Sequence, residues 1–221
     1  MDDDRDLALF WPPFGLRIDT PRLTLRVGRD HDFPALLNVI ERGVHPPDLM
    51  PFDVPWTDGP RERRDPMCLR HYWENRLKIS PESWTLHLVI FLDGQPIGIQ
   101  GIEGLNFPVV REATTGSWLG MEYQRGGYGT EMRAAVLHFG FEYLGATAMR
   151  SAAFTTNQAS LAVSRKLGYE FNGTDSKAPR GEPVESQRLL LTRERWLEHR
   201  RLTDADITVT GFDALRPMIG L

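Results

Sequence analysis

Cysteine is almost missing. The 221 residues contain one, Cys68, which excludes an intramolecular disulfide and a thiolate metal cluster. It follows Pro66 near the expected start of a helix and reads as an inert thiol, because nothing else signals thiol chemistry. Excess positive charge is also missing. The 26 Lys and Arg against 30 Asp and Glu leave a net charge of −4, with no basic stripe of the kind that binds nucleic acid. The run Arg61-Glu62-Arg63-Arg64-Asp65 mixes signs and reads as solvated surface. No apolar run approaches the roughly 20 residues of a membrane span. The start, Met1-Asp2-Asp3-Asp4-Arg5, lacks the basic lead and apolar stretch of a signal peptide. His31, His71, His87, His138 and His199 fall at no metal-ligand spacing, so no metal is implied. Repeats and low-complexity segments are absent. What remains is a cytoplasmic globular protein with no nucleic-acid or membrane partner, long enough to bury about 70% of its unfolded surface without staples.

The periodicity alternates between strands and helices, which predicts an α/β fold. Residues 1–19 form an N-terminal extension with an apolar stretch, Leu7 to Trp11, that suits either a cover for the core or the interface of a homo-oligomer. Leu23, Leu25 and Val27 alternate as a strand. A helix follows, with Pro34 in its first turn and Gly43 as its stop. Residues 44–60 carry five prolines and no periodicity, and a loop this long points to function. The next helix is predicted from a cap at Asp65 to Ile79. Strands at 84–92 and 96–103 flank the hairpin signal Asp93-Gly94. A strand at 113–120, a helix to Leu144, a strand at 147–154, a helix at 157–167, a strand at 187–191 and a helix at 193–200 complete the pattern. Residues 201–221 read as a C-terminal tail.

The informative stretch runs from Trp118-Leu119-Gly120 through Gln124-Arg125-Gly126-Gly127-Tyr128-Gly129-Thr130. A strand, a glycine turn and a helix start bring backbone N–H groups to one concave spot, where the helix dipole favours an anion such as pyrophosphate. A P-loop needs a Lys between its glycine and Thr, and Gly129-Thr130 has none. A dinucleotide fingerprint needs a third glycine where Met132 stands.

The order Gln124-x-x-Gly127-x-Gly129 resembles the signature of the GNAT superfamily of N-acetyltransferases, and a second block agrees. Asn157-Gln158-Ala159-Ser160 through Arg165-Lys166-Leu167-Gly168-Tyr169 is similar to that family's later helix and strand. The resemblance covers about residues 20–195, within a domain taken as 20–200. It is nearest to the branch of ribosomal-protein N-acetyltransferases and also extends to actinobacterial acetyl- and succinyltransferases. It implies a GNAT fold, a mixed, twisted β-sheet with helices on both faces, with acetyl-CoA or succinyl-CoA as acyl donor and a primary amine as acceptor, either a protein N-terminus or a small molecule. Gln124, Arg125, Gly126, Gly127, Tyr128, Gly129 and Thr130 would bind the donor. Leu119 would do so through its main-chain N–H, polarising the thioester carbonyl as an oxyanion hole does. Asn157 is either a helix cap or a donor contact, and Ser160 either surface or a donor contact.

Acyl transfer to nitrogen needs a base for the amine and an acid for the leaving thiolate. Many family members carry a Tyr as the acid where this chain has Ser164. By resemblance to the ribosomal branch Ser164 is the candidate acid; otherwise it is a small helix residue, and the protein is a non-catalytic acyl-CoA sensor. Glu103, at the end of a hairpin strand, is the first candidate base. Glu112, Glu122, His45 and Asp53 are alternatives. Phe52 and Trp56, in the proline-rich loop, either line a pocket or anchor the loop.

Overall fold

The computed structural model describes residues 3–203 and 205–221, with residues 3–6 described by backbone alone. Its elements are, in chain order, α1 (Asp3–Phe10), β1 (Arg17–Asp19), β2 (Leu23–Val27), α2 (Phe33–Arg42), α3 (Arg61–Leu77), β3 (Ser83–Leu92), β4 (Gln95–Leu105) and the single turn α4 (Phe107–Val110). There follow β5 (Glu112–Leu119), α5 (Tyr128–His138), β6 (Ala148–Phe154), α6 (Gln158–Lys166), β7 (Glu170–Lys177), β8 (Val184–Thr192), α7 (Arg193–His199), β9 (Thr208–Thr210) and α8 (Phe212–Leu215). The strands make one open sheet in the order β7-β8-β6-β5-β4-β3-β2-β1-β9. Only β5 and β6 run parallel; every other neighbouring pair is antiparallel.

The sheet is apolar on both faces, so both are covered. Val89, Phe91, Ile99 and Trp118 pack against Phe33, Leu36, Val39 and Ile40 of α2 and Cys68 and Tyr72 of α3. Their strand neighbours Leu86, Leu88, Ile90, Ile97 and Ile102 point the other way, into the larger core that contains Met132, Ala135 and Val136 of α5. The period-two alternation of strand side chains thus divides the interior into two cores, except that the register slip at Ile90/Phe91 puts Ile97 in the opposite core from Ile99.

The consequential irregularity is a fork. β5 and β6 pair over three rungs, Glu112↔Ala148 to Thr114↔Arg150, and then part, although β5 continues to Leu119 and β6 to Phe154. Beyond Thr114, one edge of β5 lacks a partner strand.

Several elements depart from the sequence reading. α3 begins at Arg61, so Asp65 is an ion-pair partner rather than a cap: Arg61 reaches it at 2.9 Å and Arg64 at 3.0 Å. The mixed-charge run is therefore helix, and Arg64 is buried, tying α3 to Glu41 of α2. Pro66 lies inside the helix and deprives the carbonyl four residues earlier of its donor. α5 ends at His138, and its last stretch widens into a π turn over Phe139–Tyr143. β7 is the strand that the second block implies after α6, while β1 and β9 have no counterpart in the sequence pattern. Beyond residue 204 the chain adds β9 to the sheet beside β1 and buries Phe212, Leu215 and Ile219 in the larger core.

Candidate active site

The free edge of β5 is one wall of the site. Gly120 donates to Ile97 of β4 at 3.0 Å, which makes that rung a bonded pair. Alternation along an antiparallel ladder then turns the main chain of Leu119 and Ser117 away from β4, toward the fork. The Leu119 carbonyl is occupied by Gln124 Nε2 at 3.0 Å, while its N–H faces the opening.

The glycine turn stands above this edge. Arg125 and Gly127 are left-handed, with φ of 63° and 84°. A Cβ on Gly126 would lie 2.8 Å from the Tyr128 ring. The N–H groups of Thr130 and Glu131 bond back to the Gly127 carbonyl. Those of Tyr128 and Gly129, in the first turn of α5, have no partner within the helix. Arg22 braces the turn: it donates to the Gly126 carbonyl at 3.0 Å, stacks on Tyr128 with its guanidinium carbon 4.6 Å from the ring centre, and pairs with Glu131 at 2.6 Å. Buried Glu131 also accepts from Thr20 Oγ1 at 2.7 Å, so the acid beside the helix start is neutralised. The result is a glycine cradle with two donors that neither the helix nor a capping side chain satisfies, which fits a pyrophosphate.

On the α3 face lies a cavity of about 380 Å³ bounded by β3, β4, β5, α3 and the proline-rich loop. Its floor is a pair of glycines, Gly101 of β4 opposite Gly116 of β5. One wall is an aromatic series in which Phe52 meets Trp56 at 5.0 Å and Trp56 meets Trp118 at 5.7 Å. Phe52 and Trp56 therefore line the pocket and anchor the loop at once. His87 and His71 lie with ring centres 5.0 Å apart on the other side, and Glu103 lies at the exposed edge. Burial lowers the His87 pKa to about 3 and also lowers that of His71, so both rings are neutral at pH 7. Desolvation raises the Glu103 pKa. Burial pushes Cys68 to about 11, which keeps the thiol protonated and inert.

A family model described as an acetyltransferase (GNAT) domain matches residues 22–170. The chain belongs to the GNAT acetyltransferase family. The fold agrees with solved structures at low identity. RimJ of Mycobacterium smegmatis, in complex with a CoA disulfide, has a TM-score of 0.64 at 20% identity over 86% of this chain and 94% of that one. RimL, a ribosomal alpha-N-protein acetyltransferase in complex with coenzyme A, has 0.63 at 19%, over 78% and 95%. An acetyltransferase of Salmonella typhimurium that modifies the N-terminal serine of a 50S ribosomal subunit protein has 0.64 at 18%, over 79% and 98%.

Within this GNAT scaffold the residues singled out from sequence are distributed unevenly. Leu119, Gly126, Gly127, Tyr128, Gly129 and Thr130 come together at the mouth of the fork, with the exposed Arg125 beside them. Gln124 spends its amide on the carbonyls of Val44 (2.8 Å) and Leu119 (3.0 Å), bracing the turn rather than facing outward. Asn157 caps α6, its Oδ1 accepting from the Ser160 N–H at 3.1 Å. Ser164 is fully buried, and its hydroxyl has no hydrogen-bond partner among the described residues. Among the carboxylates considered, Glu112 pairs with Arg150 at 2.5 Å, Glu122 with Arg42 at 2.7 Å and Asp53 with Lys177 at 3.5 Å. Glu103 alone of them has no cationic partner among the described residues. His45 holds Thr57 Oγ1 at 2.7 Å within the loop.

Sequence reasoning missed His71 and His87 as cavity walls, the paired floor glycines, and Arg133. The signal for the last was a lone Arg on the apolar stripe of a helix.

Among the described residues no helix is long and apolar enough to cross a membrane, and no three His, Cys, Asp or Glu are grouped to hold a metal.

Proposed function

We propose that this GNAT protein transfers an acyl group, acetyl or succinyl, from acyl-CoA to a primary amine by direct attack on the thioester. The observation that carries the reading is the meeting of three features: the free edge of β5, the glycine cradle above it, and the cavity beside it. The Tyr128 and Gly129 N–H groups hold the pyrophosphate of the donor, and the β5 edge pairs with its amide arm as an added strand would. The Leu119 N–H donates to the thioester carbonyl, where negative charge develops.

The acceptor amine enters from the cavity. Glu103, unpaired and with a raised pKa, takes its proton, directly or through one water. The amine nitrogen bonds to the acyl carbon, the carbon–sulfur bond breaks, and the thiolate takes a proton from Ser164 Oγ as that hydroxyl takes one from water, so that the serine is restored. Among the described residues that hydroxyl has no other partner, which supports the role. Thiol release from acetyl-CoA and succinyl-CoA over a panel of amines and peptide N-termini tests the reading. Release that depends on the amine and is lost in E103Q supports it; no release with either donor contradicts it.

Ser164 in place of the Tyr that many family members carry favours a second reading, a non-catalytic acyl-CoA sensor. Tight donor binding without turnover on any amine would select it. Two further elements of the account are cytoplasmic residence, supported by the lone reduced thiol, and self-association through α1. Leu9 and Phe10 of α1 are 76% and 81% exposed. Light scattering showing a monomer would remove the latter.

A further inference from the structure

Arg133 is left without a part in that scheme. It projects from α5 into the core with 4% of its surface exposed. Its guanidinium donates to Ser117 Oγ at 3.0 Å, Ser151 Oγ at 3.3 Å and Gln100 Oε1 at 3.4 Å, and it bonds the Tyr169 hydroxyl. Every one of these partners is neutral. Glu131, two residues earlier, is committed to Arg22, and no described carboxylate pairs with Arg133. A buried cation normally brings its counter-charge with it, because desolvation is otherwise uncompensated.

Its position says where the missing charge belongs. Ser117 is on β5 and Ser151 on β6, so the guanidinium bridges the two strands just beyond their last rung, Thr114↔Arg150. That is the apex of the fork. Ser117 is among the residues that border the cavity, but its hydroxyl is turned to Arg133 on the opposite, α5 face of β5. With the cradle at the fork mouth and the carbonyl at Leu119, an acyl chain extends inward along β5 toward Ser117.

We infer that Arg133 at the apex of the fork receives a carboxylate at the end of the acyl chain, so that the preferred donor is a CoA monothioester of a dicarboxylic acid, of which succinyl-CoA is the probe. The inference rests on the reading that acyl-CoA occupies the fork. A carboxylate would give the guanidinium a bidentate, charge-assisted partner in place of two long bonds to neutral oxygens. An acetyl methyl would leave the charge as it stands.

A guanidinium that merely staples β5 to β6 makes a different prediction: its loss lowers stability without changing donor choice. Calorimetric titration with CoA, acetyl-CoA and succinyl-CoA separates the two, because the ratio of affinities within one protein cancels any general loosening. Wild type is expected to bind succinyl-CoA at least about tenfold tighter than acetyl-CoA, and R133Q to bring that ratio to about one while leaving CoA itself within about threefold. R133K, which keeps the charge but not the fork of donors, carries the test if R133Q does not fold, and should cut the ratio. Equal affinity for the two donors in wild type, or a ratio unchanged in the variants, overturns the inference while CoA binding keeps the acyltransferase reading intact. Failure of all three ligands to bind overturns both.

Discussion

Gly101 and Gly116 stand opposite each other on β4 and β5, and the room their absent side chains leave is the floor of the cavity. A Cβ on Gly116 would meet nothing within 4 Å, so a larger side chain projects into free space. G116L should fold normally, keep its affinity for CoA and raise the acceptor KM by about tenfold or more, through loss of a shaped apolar site. Steady-state kinetics with any accepted amine checks this; an unchanged KM would move the acceptor elsewhere.

The two glycines of the motif are not equivalent. Gly127 needs its φ of 84°, and an added Cβ would meet the Arg22 guanidinium at 3.2 Å. Gly129 would accept a methyl, whose nearest neighbours lie at 3.8 Å and 3.9 Å. G127A should therefore cost about 1–2 kcal/mol in the turn and weaken CoA binding by about tenfold. G129A should bind nearly as wild type does. Titration of both variants with CoA decides the order.

Glu131 carries the turn through Arg22. It is 8% exposed and accepts from Thr20, the Arg22 N–H and the Arg22 side chain. E131Q removes the charge from a largely buried pair and should lower stability by about 1–3 kcal/mol. Denaturant midpoints measure it, and a shift within error would mean the brace is dispensable.

The His87 pKa of about 3 lies below its ordinary value, so the unfolded chain takes up a proton that the folded one refuses. Stability from this residue is complete above about pH 6.5 and falls with acid through the window down to about pH 3. H87Q should show a shallower acid loss than wild type over that window. Activity has its own acid limb: the raised Glu103 pKa places it above the ordinary carboxylate range, and E103Q should abolish it. Parallel stability and kcat/KM profiles separate the two groups.

Ser164 offers a split between fold and reaction. Its buried hydroxyl has no partner among the described residues, so S164A removes an unsatisfied polar group and should leave stability unchanged or raised by up to about 1 kcal/mol. If the hydroxyl protonates the leaving thiolate, kcat should fall by about a hundredfold or more with little change in CoA affinity. An unaltered kcat would remove it from the mechanism.

Much of the donor side was legible because it is local. Gly126, Gly127 and Gly129 at a strand-to-helix turn announce a cradle whatever surrounds them, and Leu23, Leu25 and Val27 alternate as a half-buried strand must. The acceptor side was not. It depends on register, and β3–β4 slips at Ile90/Phe91: Leu92 faces Gln95, but Ile90 faces Gly98. Counting back from Asp93-Gly94 therefore misplaces His87, which pairs with Gly101, and Thr85, which pairs with Glu103. β7 is a polar edge strand without apolar alternation, and β1 and β9 are three residues each, too short to show a period. Arg133 lies among core positions, and only the parting of β5 from β6 gives a buried guanidinium there a meaning.

The central claim is the place of the donor, and hydrogen exchange of backbone amides with and without CoA tests it most directly. The account predicts slowed exchange at Ser117 and Leu119, on the free edge of β5, and at Tyr128 and Gly129 in the cradle, with β1 and β9 unaffected. CoA binding that protects some other surface and leaves these four amides unchanged would contradict it.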